Sequence, residues 1–521
     1  MTAAQPPRQR ELRLDFFRGL AMFIILLAHT PGNSWTLWIP ARFGFSDAAE
    51  IFVFCSGFAS AIAFGAVFAR RGLMMGTGRI VYRIWQVYWA QIGMLLATVL
   101  LLFLIDRHAL GLQGHTYLHN LPVMPLFERT GEALMGLATL SWVPNYFDIL
   151  PMYLVILAMV PLVMAIHRFA GKEAVFAAVL ILWLTAQFAG YAYQPDAEGW
   201  PRAVGAGFAG LNLPSRPWAP EVTWFFNPFG WQIVFFTGFA FGMGWLPKPP
   251  VNRRLIIAAA TYVVAVIPFA WFRIHGGQYL PDEWLVQDWI ADAREWGTFL
   301  WWKSWVGGAR YLHFLALAYL AWVAVGAGGE RLRSGWTAPG RPGPRLQWAA
   351  AIIALLTFPY GWVDMIAAWW PALNAAIVHH LTVTAEAIFG TDLLVPGERI
   401  GLLQLIHLGA LLLLAWAAIG QRARDWLLRD GFLALVPIIR KVGTQSLAVF
   451  VFSMPLAQAN GWVLDLIGRE AWSWALVNLS GFLILIAVAY VVGWFRSQPW
   501  RKPASQSGAA RRDGLVRMPA E

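Results

Sequence analysis

The chain has 521 residues, 59% of them hydrophobic and 13% charged, with a formal net charge of +11. Its mean hydropathy of +0.55 excludes the soluble globular classes and points to a polytopic, all-α transmembrane bundle. A pI near 10 would suit a nucleic-acid binder, but the basic residues gather in short stretches between apolar runs, the pattern of membrane topology. The single cysteine, Cys55, excludes an intrachain disulfide and a cysteine-based metal site.

The first apolar run holds Arg18 and closes on His29-Thr30-Pro31-Gly32-Asn33 without a small-x-small cleavage site, so it reads as a retained helix. Ionisable side chains inside a membrane helix cost free energy and are functional candidates for that reason. The spacing from Arg18 to His29 is close to three helical turns, which sets both on nearly one face, about 16 Å apart along the axis. Asp15, three positions before Arg18, is placed to pair with it. A snorkelling arginine beside a satisfied, buried histidine is the competing account of the same residues.

Candidate spans follow at 15–31, 48–69, 84–105, 148–166, 174–193, 228–246, 255–273, 307–327, 348–367, 401–419, 435–457 and 474–495, each near the ~20 residues a bilayer needs. The segment 372–396, which carries His379, His380, Glu386 and Asp392, reads as an interfacial helix. With the N-terminus in the cytoplasm, 27 of the 39 Lys and Arg residues fall on the cytoplasmic side. The resulting expectation is a cytoplasmic tail over 1–13, a transmembrane domain over 14–495, and a disordered cytoplasmic tail over 496–521. The external side then holds the longer loops, 106–147, 194–227, 274–306 and 368–400. Trp200, Trp218, Trp224, Trp284, Trp289, Trp296, Trp301, Trp302 and Trp305 cluster there, either as an interfacial belt or as a platform for sugar faces.

The second span opens on Ser46-Asp47-Ala48-Ala49-Glu50. Asp47 and Glu50 share a helical face and enter from the external side at about the depth of His29. A carboxylate there can orient an imidazole base; an acidic helix start favoured by the dipole is the plainer reading. Arg79 and Arg83, on the opposite side, suit the phosphates of a cytosolic donor, although positive-inside bias explains either one alone. Asp148, Asn227, Gln232, Arg310 and His313 punctuate apolar surroundings at external helix ends and suggest a polar cavity opening outward; Arg399 and His407 echo the Arg310–His313 stretch. There is no P-loop, nucleophile elbow, zincin motif or dinucleotide fingerprint.

Leu14-Asp15-Phe16-Phe17-Arg18-Gly19-Leu20-Ala21 followed by His29 resembles the Arg-x10-His signature of the membrane acyltransferase family 3. Four further stretches resemble its OpgC branch, the succinyltransferases of osmoregulated periplasmic glucans: 43–54, 147–153, 226–232 and 310–318. Gly443-Thr444-Gln445-Ser446-Leu447-Ala448-Val449-Phe450 is a last match. Residues 330–432 depart from the family's usual ten spans as an insertion with two extra ones. The resemblance implies acyl transfer, of succinyl in the OpgC branch, from a cytosolic acyl-CoA co-substrate to hydroxyls of an extracytoplasmic glucan, in a bacterial inner membrane and with no bound cofactor or metal. His29, Arg18, Asp47 and Glu50 would then be catalytic. Arg18, Arg79 and Arg83 would bind the donor, and Asp148, Asn227, Gln232, Arg310 and His313 the acceptor. Two alternatives stay open: an acetyltransferase acting on another envelope polysaccharide, and a glycan or lipid transporter lined by the same buried charges.

Overall fold

The computed structural model describes residues 11–277, 284–326, 328–358, 362, 370–389 and 402–500. These residues are predominantly helical; a lone bridge between Pro214 and Thr223 is the one strand-like pairing among them. The longer helices are α1 (Leu12–His29), α2 (Ala48–Arg107), α3 (Ile149–Ala192), α4 (Pro228–Met243), α5 (Arg253–Ala265), α6 (Leu285–Trp301) and α7 (Gly308–Val325). They continue as α8 (Pro344–Leu356), α9 (Pro371–Phe389), α10 (Leu402–Ala418), α11 (Phe432–Thr444), α12 (Ser446–Ile467) and α13 (Ala471–Ser497).

Among the described residues, six helices are long and apolar enough to cross a membrane, or up to seven if a pair bent by 112° at residues 419–420 forms one span. The twelve expected stretches map onto these and onto shorter helices for identifiable reasons. Two pairs of stretches follow one another across a kink: α2 holds 48–69 and 84–105 as two helical segments, and α3 holds 148–166 and 174–193 in the same way. Each contains one glycine with non-helical backbone, Gly72 (φ 77°, ψ −179°) in α2 and Gly171 (φ 83°, ψ 178°) in α3, a region glycine enters without strain. The bend at Gly72 is sharp. The Phe68 ring fills the space a Cβ on Gly76 would take, whereas a straight helix would hold those positions about 12 Å apart. Helix α4 has 16 residues and α8 has 13, and α1 carries Arg13, Asp15 and Arg18 in one 18-residue helix.

Three boundaries differ from expectation. The stretch 435–457 is two helices meeting at Gln445: α11 packs on α1, and α12 is the apolar crossing. The stretch 255–273 ends early as α5 and continues in short turns around Pro268. The supposed loop 274–306 contains α6, whose acidic and apolar residues alternate at helical spacing. Helix α9 accounts for most of 372–396; the Glu386 side chain, Asp392, Arg399 and the tails 1–10 and 501–521 lie outside the described residues.

Helix α1 sits at the centre, against α2, α11, α12 and α13, while α2 packs on α3 and α4. The α2–α4 contact is backbone to backbone: a Cβ at Gly57 would overlap the Phe235 carbonyl, and one at Gly238 the Phe54 carbonyl. Small residues permit this approach where lipid offers no hydrophobic drive for helix association. Cys55 is buried in the same region. The apolar windows of α2 and α3 are 56% and 61% buried, whereas that of Arg253–Ala270 is 11% buried. Helices α8 and α10 form a separate small cluster around Ala350, Ala354 and Ala410.

Candidate active site

The start of α2 and the start of α7 are joined by charge. Asp47 caps α2, its Oδ1 accepting from the Ala49 amide at 2.7 Å, and Glu50 Oε2 accepts from the Asp47 amide at 2.8 Å. This reciprocal capping box satisfies two donors that a helix start leaves free. The second oxygen of each carboxylate meets a cation. Arg310 Nε donates to Glu50 Oε1 at 2.5 Å and Nη2 to Asp47 Oδ2 at 3.3 Å, while Lys303 Nζ lies 2.5 Å from Asp47 Oδ2. Glu50 is fully buried and Arg310 nearly so, so the pairing is what lets the charges persist there.

One turn beyond Arg310, His313 packs on Gly44, where a Cβ would strike the imidazole ring. Ser46 N–H donates to His313 Nδ1 at 3.3 Å, with Ser46 Oγ 2.8 Å from the same nitrogen. Nδ1 is therefore an acceptor and Nε2 carries the proton, buried without a partner.

Lys303 reaches Asp47 from a loop held on several sides. Asn227 N–H donates to the Ser304 carbonyl at 3.0 Å, Trp231 Nε1 to the Lys303 carbonyl at 2.9 Å, Trp183 Nε1 to the Val306 carbonyl at 2.9 Å, and Gln187 Nε2 to the Trp305 carbonyl at 2.5 Å. Val306 is held at φ 57°, a conformation a β-branched residue adopts when its surroundings impose it.

His29 closes α1 at this same end of the bundle. Its Nδ1 lies 2.8 Å from the Ile25 carbonyl. A carbonyl oxygen can only accept, so Nδ1 bears the proton and the neutral ring presents its lone pair on Nε2. The ring meets Tyr146 edge-on, 5.2 Å between centroids at 77°. Tyr146 stands at φ 90°, and its hydroxyl donates to the Met454 carbonyl at 2.7 Å. The charges of Lys303 and Asp47 lie close enough to act on His29.

The other end of α1 is different. Arg18 forms no ion pair with Asp15, although the Asp15 charge acts on it; the neighbouring charged pair is Arg13 with Glu11, at 2.6 Å. Arg18 Nε is buried without a hydrogen-bond partner. Cys55, Tyr153 and Arg83 are the other groups acting on Arg18. Arg83 is half-buried and donates to Gln86 at 3.2 Å, whereas Arg79 is exposed.

The remaining sequence candidates are dispersed. Asp148 precedes α3, buried, with Oδ2 unpartnered. Asn227 caps α4, accepting from Phe229 and Gly230 and donating to the Leu211 carbonyl. Gln232 ties α4 to α3 through the Val179 carbonyl at 2.9 Å. Together with Arg310 and His313 these residues are all under 10% exposed, so they form packed joints and do not line an open cavity. A groove of about 560 Å³ on the His29 end is lined by other residues, among them His115, Gln458 and Arg469. His407 bonds Thr357 between α8 and α10. Of the loop tryptophans, Trp305 is buried and Trp301 stacks on Phe45, while Trp200, Trp289 and Trp296 are exposed.

Lys303 and Tyr146 were not among the sequence candidates. Lys303 was hidden by its place among external basic residues, and its one signal is position, seven residues before Arg310 in the same stretch. Nothing local marks Tyr146, whose importance lies in contacts to α1 and α12.

A family model described as OpgC protein matches residues 10–342 and 338–497. No curated protein and no solved structure matches the chain.

Proposed function

Because the chain belongs to the OpgC protein family and its apolar helices make it a multi-pass membrane protein, we propose that it is an integral membrane O-acyltransferase. It moves an acyl group, succinyl in this reading, from cytosolic acyl-CoA to hydroxyls of a periplasmic glucan, in a bacterial inner membrane with both termini cytoplasmic. The observation that carries the reading is His29: a ring whose tautomer is set by the Ile25 carbonyl, with Nε2 unengaged beside a fixed cluster of charges.

In this reaction the acceptor oxygen attacks the acyl carbonyl as Nε2 takes the hydroxyl proton. The carbon–sulfur bond of the thioester breaks, a carbon–oxygen ester bond forms, and the proton passes on to the departing thiolate. Where the acyl group must first cross the bilayer, Nε2 carries it as an acyl-imidazole and the same bonds are exchanged in two steps. Asp47, Glu50, Lys303 and Arg310 form a fixed, mutually paired charge cluster, of which Lys303 and Asp47 act on His29 through space. Arg18, half-buried with Nε unbonded and within reach of the Arg83 charge at the opposite end of α1, is suited to the pyrophosphate of the donor.

Mass analysis of periplasmic glucans from cells with and without the protein tests this. Without it, glucans of unchanged backbone length should lose their acyl substituents and bind anion exchanger less strongly. Loss of the backbone itself would argue for a synthase or exporter. An unchanged glucan beside another polysaccharide stripped of acetyl groups would move the substrate assignment.

A further inference from the structure

The groove of about 560 Å³ on the His29 end lies between the segment after α2 and the second half of α12. His115, Asn120, Gln458, Trp462, Asp465 and Arg469 bring one imidazole, two amides, an indole, a carboxylate and a guanidinium to it. Its walls are joined by specific bonds. Asp106 accepts from the Tyr117 and Leu118 amides at 2.8 and 2.9 Å, the Tyr117 hydroxyl donates to Asp465 at 3.0 Å, and Trp462 Nε1 donates to the Leu110 carbonyl at 2.9 Å.

The turn that follows His29 forms a further wall. Pro31 fits against Gly461, where a Cβ would overlap the proline ring, and Gly32 lies under the Arg469 guanidinium. Trp474 Nε1 donates to the Gly32 carbonyl at 3.1 Å, and Asn33 and Asn478 exchange amide bonds at 2.8 and 3.0 Å. At the inner side Gln458, 3% exposed, leaves Oε1 without a partner and lies against the Tyr146 hydroxyl. Tyr146 in turn meets the His29 ring.

The chemistry of the lining selects a ligand class. Asp465 and Arg469 are paired at 2.5 Å, so the groove offers no uncompensated charge to an ion. What it offers is alternating donors and acceptors, an indole, and a buried carbonyl oxygen in need of a donor. A neutral polyhydroxylated chain satisfies all three.

We propose that this groove is the acceptor subsite, which binds a neutral glucan segment and delivers a hydroxyl past Gln458 and Tyr146 to His29. The proposal rests on the acyltransferase reading for the identity of the acceptor. His115 and Asn120 are bonded to each other at 3.1 Å and are both exposed, so replacing them disturbs the groove and little of the fold.

The test is calorimetric binding of a neutral glucan oligosaccharide to the full chain in lipid nanodiscs, with acyl-CoA turnover measured separately. Relative to wild type, His115→Ala with Asn120→Ala, and Gln458→Leu alone, should each raise Kd about tenfold, the loss of one or two good polar contacts. Both variants should keep the wild-type KM for acyl-CoA. Oligosaccharide binding unchanged in both variants, or absent from wild type, overturns the groove assignment. Failure of wild type to turn over acyl-CoA is a separate result: it removes the acyltransferase reading whatever the oligosaccharide does.

Discussion

The two ends of α1 solve the problem of charge in an apolar bundle in opposite ways. At the His29 end every charged group of the Asp47–Glu50–Lys303–Arg310 cluster has a partner, and the carboxylates also cap a helix. At the Arg18 end the guanidinium has neighbours but, among the described residues, no ion pair, and its Nε is buried and unbonded. A paired buried charge organises structure, because removing one partner strands the other. An unpaired one is kept at a cost and is free to take a ligand's charge. On the proposed acyltransferase reading, the His29 end would be the rigid one and the Arg18 end the one that captures the donor, and each variant below breaks or sharpens that contrast.

The largest effect belongs to His29. His29→Gln should lower acyl transfer by about 10²–10⁴-fold, the range general acid–base catalysis contributes, with expression and detergent-solubilised thermal stability unchanged. Near-normal glucan substitution in cells carrying the variant would remove His29 from the chemistry. Next comes the buried pair. Glu50→Gln should destabilise by about 3–5 kcal/mol because it leaves Arg310 uncompensated, and adding Arg310→Met should recover much of that loss. If the double variant is no more stable on thermal unfolding than Glu50→Gln alone, the pair is not the organising contact.

Arg18→Gln should act in the opposite sense on stability, leaving it equal or improved, while raising the KM for acyl-CoA by about ten- to a hundredfold, the loss of a charge-assisted contact. A change in acceptor KM alone would place the donor elsewhere. Arg83→Gln should raise the donor KM by a smaller factor and Arg79→Gln should leave it unaltered, since only Arg83 is close enough to act on Arg18. The smallest effect is expected of Tyr146→Phe. It keeps the ring against His29 and loses one hydrogen bond to Met454, worth about 1 kcal/mol. The orientation of the whole comparison is checked by reporter fusions after residues 120 and 340, which should read outside and inside respectively.

The sequence alone determined that the chain is a membrane helical bundle, because long apolar runs have no other stable use in water or lipid. It also singled out Arg18, His29, Asp47 and Glu50, because ionisable groups in apolar surroundings stand out one by one, and capping spacing is local. It did not reveal that Gly72 and Gly171 are the single points at which the flanking helical segments break and turn, since a glycine reads alike in a turn and in a helix until the flanking segments pack. Nor did it show that 435–457 divides at Gln445, because both halves are apolar and their packing against α1 decides the break. The Asp15–Arg18 pairing was suggested by helical spacing, yet spacing permits a contact without enforcing a rotamer. Lys303, Tyr146 and the groove beside α12 came from tertiary structure alone. They join residues more than a hundred positions apart, and such juxtapositions are set by how helices pack, which no local pattern encodes.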